Sequence, residues 1–483
     1  MRRKTTQIAA LALTAATALS LVGCSGGGST SSAANAKNAS APSASSAPAT
    51  QEGKVLNIWC WNEEFQGRFN TYYPEVKEVS KDKSTTTLKN GITVKWTINP
   101  NANNNYQNKL DQQLLQQESS PADNKIDMFL MEADYALKYA NSDFSLDVKK
   151  DVGITDDDLS QQYKYTQDVA TDKNGVLKGV SWQATPGLFA YRRSYAKKAL
   201  GTDDPTKVQE QMSDWDKFNT AAEKVKSAGY YMLSGYDDTY RTFSNNVSGP
   251  WVTGTTVTVD PMIMKWVEQT KDFTQKGYNH KADGLFTSQQ WTTDQGPTSK
   301  VFGFFYSTWG INFTLEGNSL KTPTDQGGKE EVGNGAYGDW AVCQGPASWY
   351  WGGTWLCACK GTDNIGTIKD VMEKLTCDKD IMKKITLKEQ DYTNNKAAMG
   401  EVAGSDFKSD FLGGQNHIKL FTEVAPKIVM KYNTAYDQGC NESMQNTFLD
   451  YFNGTVDLNK AKANFEQSIK EKYPEITEVK WPS

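Results

Sequence analysis

The sequence lacks several features that define common classes of protein. No apolar run reaches 18 residues and the mean hydropathy is −0.64, which excludes a membrane protein with several helical spans. Lysine and arginine number 52 against 57 aspartates and glutamates, so the basic excess of a nucleic-acid-binding protein is missing. Only two histidines occur, His280 and His417, which excludes a histidine-rich metal site and leaves a Ser-His-Asp triad two candidate bases.

The N-terminus has the pattern of a secretion signal. Basic residues at 2–4 precede an apolar stretch at 8–22, which is short and rich in alanine. The stretch ends in Leu-Val-Gly-Cys24, which resembles the lipobox of bacterial lipoproteins. The resemblance implies that residues 1–23 are removed and that Cys24 is lipidated and holds the chain on a lipid bilayer. An ordinary signal peptide is the alternative.

A linker follows the signal. Residues 25–53 consist almost entirely of Ser, Ala, Gly, Thr, Pro and Asn, which bury too little apolar surface to order a chain. As a random coil this segment would reach about 30 Å. We therefore expect Cys24 and a flexible tether over 24–53, followed by a folded domain over 54–483.

The start of the folded domain alternates between strand and helix patterns. Residues 55–61 read as a buried strand, aromatic residues at 65–73 recur at helical spacing, and 92–98 alternate as a second strand. An amphipathic helix at 106–115 and a third strand at 126–131 follow. This β-α-β-α-β order predicts an α/β fold with a parallel, doubly wound sheet.

Ligands on such sheets bind beyond the carboxyl ends of the strands. Polar and aromatic residues follow two of the predicted strands at those positions. The candidates are Trp61, Asn62, Glu63, Glu64, Glu132 and Asp134.

Four motifs in order carry a family resemblance. Residues 190–195 read AYRRSY, 213–216 read SDWD, 301–309 read VFGFFYSTW and 350–355 read YWGGTW. With this order, the chain from about 54 to 475 resembles the extracellular solute-binding proteins of carbohydrate ABC transporters.

The resemblance implies a two-lobe α/β fold of the periplasmic-binding-protein type, with hinge segments and a ligand cleft between the lobes. Mapping the motifs places the hinges near 180–188 and 353–360. Lobe one would hold 54–180 and lobe two 188–353, each with a later segment. A hinge of this kind couples ligand contacts on both lobes to a closed state.

Aromatic and polar residues near strand ends and hinges are the candidate ligand contacts. Sugar rings present flat C–H faces that indoles match, and their hydroxyls pair with planar amides and carboxylates. Core packing is the alternative for each tryptophan, and a solvated helix start for each acid. The stacking candidates are Trp61, Trp182, Trp309 and Trp351. The further candidates for hydroxyl contacts are Gln183, Asp237 and Asp238, and the resemblance adds Gly352 and Gly353 at the second hinge.

Six cysteines remain beside Cys24, and they allow fifteen disulfide pairings. Cys357 and Cys359 fit neither a redox C-x-x-C motif nor a zinc knuckle. We expect buried free thiols.

The sequence thus indicates a membrane-anchored, extracytoplasmic receptor that captures a sugar, an oligosaccharide in view of its many aromatics, and delivers it to an ABC importer. The expected partners are the oligosaccharide, the permease subunits and the lipid bilayer, with no nucleic acid, cofactor, metal or catalytic residue, and the protein is expected to be a monomer. Two alternatives stay open. One is a surface-anchored glycoside hydrolase with paired carboxylates about 5–10 Å apart, and the other is a receptor for a non-sugar solute.

Overall fold

Two main β-sheets organise the part of the chain that the computed structural model describes, residues 52–286 and 288–482. The predicted signal peptide, Cys24 and nearly all of the linker lie outside these residues.

The strands of the described residues are numbered in chain order. They are Val55–Cys60 (β1), Val76–Val79 (β2), Thr85–Leu88 (β3), Thr93–Ile98 (β4), Met128–Glu132 (β5), Val180–Ser181 (β6), Gly187–Arg192 (β7), Leu233–Gly235 (β8), Val252–Thr253 (β9), Thr256–Thr258 (β10), Asn279–Ala282 (β11), Gly303–Ser307 (β12), Trp340–Cys343 (β13), Thr354–Ala358 (β14) and Glu478–Lys480 (β15).

The α-helices of the same residues cover the sheets and build the C-terminal region. They are Glu64–Tyr72, Asn105–Leu114, Ala136–Ala140, Asp156–Leu159, Lys164–Val169, Arg193–Leu200, Pro205–Glu210, Trp215–Ser227, Tyr240–Ser244, Pro261–Lys276, Gln289–Asp294, Thr308–Gly310, Gly317–Ser319, Ile365–Met372, Lys379–Glu389, Lys396–Ala403, His417–Val424, Asp437–Asn453 and Leu458–Lys472. The shorter 3-10 and π turns are Ala102–Asn104, Ala122–Asn124, Ala133–Tyr135, Val148–Val152, Ile311–Glu316, Thr324–Gln326, Glu373–Cys377 and Ala425–Lys427.

The first sheet has the order β2-β3-β4-β1-β5-β14-β6. Strand β1 pairs in parallel with β4 on one side and β5 on the other, which confirms the predicted parallel arrangement. The alternation that predicted β4 is visible in its packing, since Val94 and Trp96 are buried while Lys95 between them is exposed. We call this sheet and the helices packed on it the first lobe.

An antiparallel hairpin, β2–β3, extends the edge of this sheet beside β4. Its first strand, Val-Lys-Glu-Val, is mostly solvent-facing, so the apolar signal used to predict strands is weak there. The sequence pattern therefore missed it.

The second sheet has the order β12-β7-β13, and both outer strands are antiparallel to β7. All three strands are buried along their whole length, because helices and loops cover both faces. Helix Arg193–Leu200 packs on β7, and Pro205–Glu210 packs on β13. We call this sheet and its helices the second lobe.

The chain passes between the two sheets more than once. It leaves the first sheet after Ser181 in β6 and enters the second at Gly187, and it returns between Cys343 in β13 and Thr354 in β14. Helix Ile365–Met372 then packs on β14, whereas the later helix Asp437–Asn453 packs against Pro261–Lys276 in the second lobe. This architecture confirms the predicted two-lobe α/β fold.

Two clusters of buried apolar side chains stabilise the described residues. The larger runs beneath both main sheets, and the smaller is built around Trp266, Phe448 and Phe465 of the second lobe. The six cysteines after residue 51 are free thiols, as expected; Cys377 is half-buried and the other five are buried.

Candidate functional site

Two cavities open along the junction of the lobes. The larger, of about 380 Å³, lies between Asp134 of the first lobe, Arg241 and Asn245 of the second, and the irregular segment 427–434. The smaller, of about 240 Å³, lies between the start of helix Glu64–Tyr72 and residues 309–313 of the second lobe. Both cavities are thus lined by side chains of both lobes.

An ion pair at the larger cavity joins the lobes. Arg241 donates from Nη1 to Oδ1 of Asp134 at 2.7 Å and from Nη2 to Oδ2 at 2.6 Å. Asp134 follows strand β5 directly, and Arg241 belongs to helix Tyr240–Ser244. The guanidinium also lies over the ring of Trp351, 5.3 Å from its centroid. Such a two-pronged contact is specific to arginine, because a lysine ammonium cannot match both carboxylate oxygens.

Glu132 adds a second carboxyl group beside this pair. Its Oε2 accepts the backbone N–H of Asp134 at 2.7 Å. Burial, and next the nearby charge of Asp134, raise the pKa of Glu132, while Arg241 acts in the opposite direction. The site therefore holds two neighbouring carboxyl groups and one guanidinium, and Asp134 and Arg241 line the larger cavity.

Trp309 and Trp351 form an aromatic partition between the two cavities. Their rings meet edge to face with centroids 5.2 Å apart, and Trp309 Nε1 donates to the carbonyl oxygen of Trp351 at 3.0 Å. Gly352 has a φ of +70°, and a Cβ there would come within 3.0 Å of Trp309 Nε1. A side chain at 352 would therefore push the two indoles apart, which explains why glycine suits this position.

A network of acids and an amide borders the smaller cavity. Gln183 Nε2 donates to Glu64 at 2.9 Å and to Asp391 at 3.0 Å, and Thr308 Oγ1 also donates to Asp391, at 2.7 Å. These residues come from the first lobe, the first crossing and the end of strand β12. Burial raises the pKa of Glu64 to about 7, with Asp391 adding to the rise and Arg68 opposing it. The network links both lobes through buried hydrogen bonds.

The structure brings many of the predicted site residues to the junction of the lobes. Glu63, Glu64, Asp134 and Trp309 line a cavity. The predicted residues that contact these lining residues are Glu132, Gln183, Trp351 and Gly352. Gly353 follows with a φ of +110° against the ring of Trp355.

Trp61 and Asn62 were predicted as well, and they line neither cavity. Trp61 is half-buried and meets Tyr106 and Tyr135 edge to face. Asn62 Oδ1 accepts the N–H of Glu64, the first residue of the next helix, at 3.1 Å, although the N-cap position itself is Glu63.

Three further predicted residues line neither cavity. Trp182 was expected as a stacking platform, but it is only 1% exposed and stacks on Phe65, because the first crossing runs through the core. Asp237 lines neither cavity, and burial raises its pKa to about 6. Asp238 is buried, and its side chain accepts the N–H of Gly235. Trp182 therefore offers no face to a ligand in this conformation.

Sequence reasoning missed Arg241, Tyr350 and Asn245. Asn245 Oδ1 accepts the N–H of Tyr350 at 2.7 Å and so ties the second crossing to the wall of the larger cavity. One signal was available for Arg241. Only four arginines follow residue 51, and this rarity marks each of them as a candidate partner for a carboxylate.

The two histidines do not form a catalytic triad. The Ser234 hydroxyl donates to Asp294 at 2.8 Å, and the other oxygen of the same carboxylate contacts Nδ1 of His280. In a triad the imidazole itself contacts the hydroxyl, whereas here the carboxylate stands between the two. His417 is buried against the carbonyl oxygen of Gln390. Within the described part of the chain, no three His, Cys, Asp or Glu side chains are grouped to hold a metal ion.

A family model for bacterial extracellular solute-binding proteins matches residues 83–365, more than half of the chain. The chain belongs to this family. The family consists of binding proteins and implies a location outside the cytoplasm. No curated protein matches the sequence.

Solved structures of solute-binding proteins share the fold. One, described as an extracellular solute-binding protein of family 1, has a TM-score of 0.66 at 16% identity, covering 88% of this chain and 100% of its own. The ABC-transporter-associated binding protein of B. animalis subsp. lactis, in complex with β-1,6-galactobiose, has a TM-score of 0.64 at 15% identity over 88% and 99%. The galacto-N-biose/lacto-N-biose I-binding protein of Bifidobacterium longum has a TM-score of 0.59 at 14% identity over 89% and 100%.

These identities support the two-lobe, periplasmic-binding-protein-like fold rather than a particular ligand. Among the described helices, none is long and apolar enough to cross a membrane.

Proposed function

We propose that this solute-binding protein captures an oligosaccharide between its lobes and delivers it to an ABC importer. The observation that carries the proposal is the convergence of indole rings, carboxyl groups and amides from both lobes around two adjoining cavities. Two proteins of the same fold are described with a disaccharide, β-1,6-galactobiose in one and lacto-N-biose in the other.

The chemistry of the lining suits a sugar. Trp309 is half-buried at the smaller cavity and can stack on the C–H face of a pyranose ring. Glu64 and Asp134 provide planar acceptors for hydroxyl groups, and Asn245 provides an amide. With an apolar wall and few polar groups at defined places, the lining fixes the orientation of a ligand.

The ion pair between Asp134 and Arg241 gives ligand binding a route to lobe movement. These side chains satisfy each other across the lobes, and the guanidinium lies over the ring of Trp351. A sugar whose hydroxyls bond to Asp134 would free Arg241 and uncover Trp351. Binding would then replace the Asp134–Arg241 ion pair with several contacts between the ligand and both lobes. These contacts would stabilise a closed state.

The location and partners belong to the same proposal. Residues 1–23 would direct secretion, lipidated Cys24 and the linker 24–53 would tether the domain 54–483 to the bilayer, and the monomeric receptor would meet the permease subunits there. Changing Cys24→Ala should release the protein to the medium or leave it unprocessed. A variant that stays wholly membrane-bound at mature size would refute the lipid anchor.

Binding without turnover is the decisive property. The purified protein, titrated with a panel of oligosaccharides, should show saturable binding and release no new reducing ends. Glu64 and Asp391 share one amide donor and are close enough to make a glycoside hydrolase the alternative. Product that appears with wild type and disappears in Glu64→Gln would establish the hydrolase instead.

A further inference from the structure

A pair of exposed phenylalanines extends the aromatic lining out of the smaller cavity. Phe286 and Phe313 are each 49% exposed, although both are large apolar side chains. Their rings are parallel within 6°, with centroids 6.4 Å apart. Both meet Trp309 edge to face, at 5.8 Å for Phe286 and 6.5 Å for Phe313. We call Phe286 and Phe313 the aromatic shelf.

The aromatic shelf lies directly beside the smaller cavity. Phe313 and Trp309 both line the smaller cavity, so the shelf continues the surface of a ligand-sized space. Of the other large apolar side chains exposed in the described residues, Val429 and Tyr432 line the larger cavity, whereas Leu115, Val332 and Leu387 line neither. Solvent-exposed apolar surface beside a cavity indicates a surface that becomes buried when a ligand binds.

The area of the shelf selects the kind of occupant. Two half-exposed phenylalanine rings present about 200 Å² together. A stable protein partner needs about 800 Å² on each side, much more than the shelf offers. The area of the shelf is instead enough to cover a single sugar ring. Parallel rings without a charged group between them match the C–H face of an uncharged pyranose.

We propose that the aromatic shelf is an accessory subsite for a sugar ring of an oligosaccharide that extends beyond the smaller cavity. This inference rests on the proposed function and adds a length preference to it. A ligand confined to the smaller cavity can touch Phe313 alone. A longer ligand gains the stacking contact on Phe286 as well.

The test is a calorimetric titration of the full chain with two saccharide series, α-1,4-glucosyl and β-1,6-galactosyl, each from one to six units. Wild type is compared with Phe286→Ala/Phe313→Ala, with Phe286→Tyr/Phe313→Tyr, which keeps the rings, and with Leu115→Ala as the control. Thermal melting confirms that every variant is folded.

We expect wild-type affinity to rise with chain length. The alanine variant should lose about tenfold for the longest bound ligand and clearly less for the shortest, which can touch Phe313 alone. The tyrosine variant and Leu115→Ala should match wild type. If wild type binds saccharides but its affinity does not rise with length, or if the alanine variant loses the same factor at every length, the shelf inference is wrong while the proposed function stands.

If no saccharide of either series binds wild type, the proposed sugar-binding function fails and the shelf inference fails with it. Unchanged saccharide affinity in the alanine variant, together with reduced uptake of the sugar by cells, would place the permease on the shelf and overturn the inference.

Discussion

At the scale of single residues, tryptophans with similar sequence contexts have different surroundings. Trp182 and Trp309 both follow a strand, yet Trp182 is enclosed by the core and Trp309 borders a cavity. The pattern of strand ends predicted both as platforms, because the depth at which a crossing runs depends on packing between distant segments. The solvent exposure of the indole therefore distinguishes a core tryptophan from a cavity-lining one, whereas its position in the sequence does not.

The first prediction contrasts these two indoles. Trp309→Ala should weaken oligosaccharide binding by about thirtyfold, equivalent to about 2 kcal/mol, because a stacked ring is lost. Trp182→Ala should lower the melting temperature and leave the affinity of the folded protein nearly unchanged. Calorimetric titration and thermal melting measure the two effects. Equal affinities of wild type and Trp309→Ala would mean that the cleft is placed wrongly.

The second prediction concerns Asp134 and Arg241. Arg241→Ala leaves two neighbouring carboxyl groups without their cation, so the free energy of unfolding should fall by about 2 kcal/mol. Asp134→Asn in the same chain should recover part of this loss, because one of the stranded charges is removed. Urea unfolding of wild type, both single variants and the double variant provides the cycle. Additive losses would show that the two side chains do not interact.

The third prediction is a dependence of stability on pH through Glu64. Its pKa of about 7 in the folded protein lies above the ordinary value of 4.5, so the folded state binds a proton more tightly than the unfolded chain. The contribution of Glu64 to the free energy of unfolding is therefore complete below pH 4.5 and is lost as the pH rises to 7. The loss is no steeper than about 1.4 kcal/mol per pH unit.

The Glu64→Gln variant carries no such proton, so its stability should vary less between these pH values. Urea unfolding at pH 4.5, 5.5 and 7 compares the two proteins. Parallel pH profiles of wild type and Glu64→Gln would contradict the assignment.

At the scale of elements, the three central strands of the first sheet were predictable. Strands β1, β4 and β5 carry strong apolar patterns, and their parallel pairing follows from the helices between them. Strand β14 pairs antiparallel to β5 although more than 200 residues separate the two in sequence. Local patterns do not encode such a pairing, so the return of the chain to the first sheet came from the family resemblance alone.

The fourth prediction tests the second crossing through its glycines. Gly353 has a φ of +110°, and an added Cβ would lie 3.1 Å from the ring of Trp355. Gly254 also has a positive φ, +62°, but a Cβ there would meet no neighbour within 4 Å. Gly254→Ala should cost about 1 kcal/mol from backbone strain alone, and Gly353→Ala should cost more. Equal losses of melting temperature would mean that Trp355 does not confine the crossing.

At the scale of the whole molecule, the site arises from segments that lie far apart in sequence. Predicted residues such as Glu64, Asp134 and Trp309 follow strands whose ends meet at the junction of the lobes. Arg241 and Phe313 lie instead on helical segments, where no strand-end rule selects them. The sequence pattern thus pointed to residues at the junction of the lobes, but not to the side-chain contacts that cross it.

The fifth prediction addresses the central claim, that one ligand is held by both lobes at once. Hydrogen exchange followed by mass spectrometry, with and without a saturating oligosaccharide from the binding panel, reports protection along the whole chain. Peptides covering 61–68 and 132–137 of the first lobe and 306–316 of the second should become protected together, and by less in Trp309→Ala at the same ligand concentration. Protection confined to one lobe, or to surfaces away from both cavities, would contradict binding between the lobes.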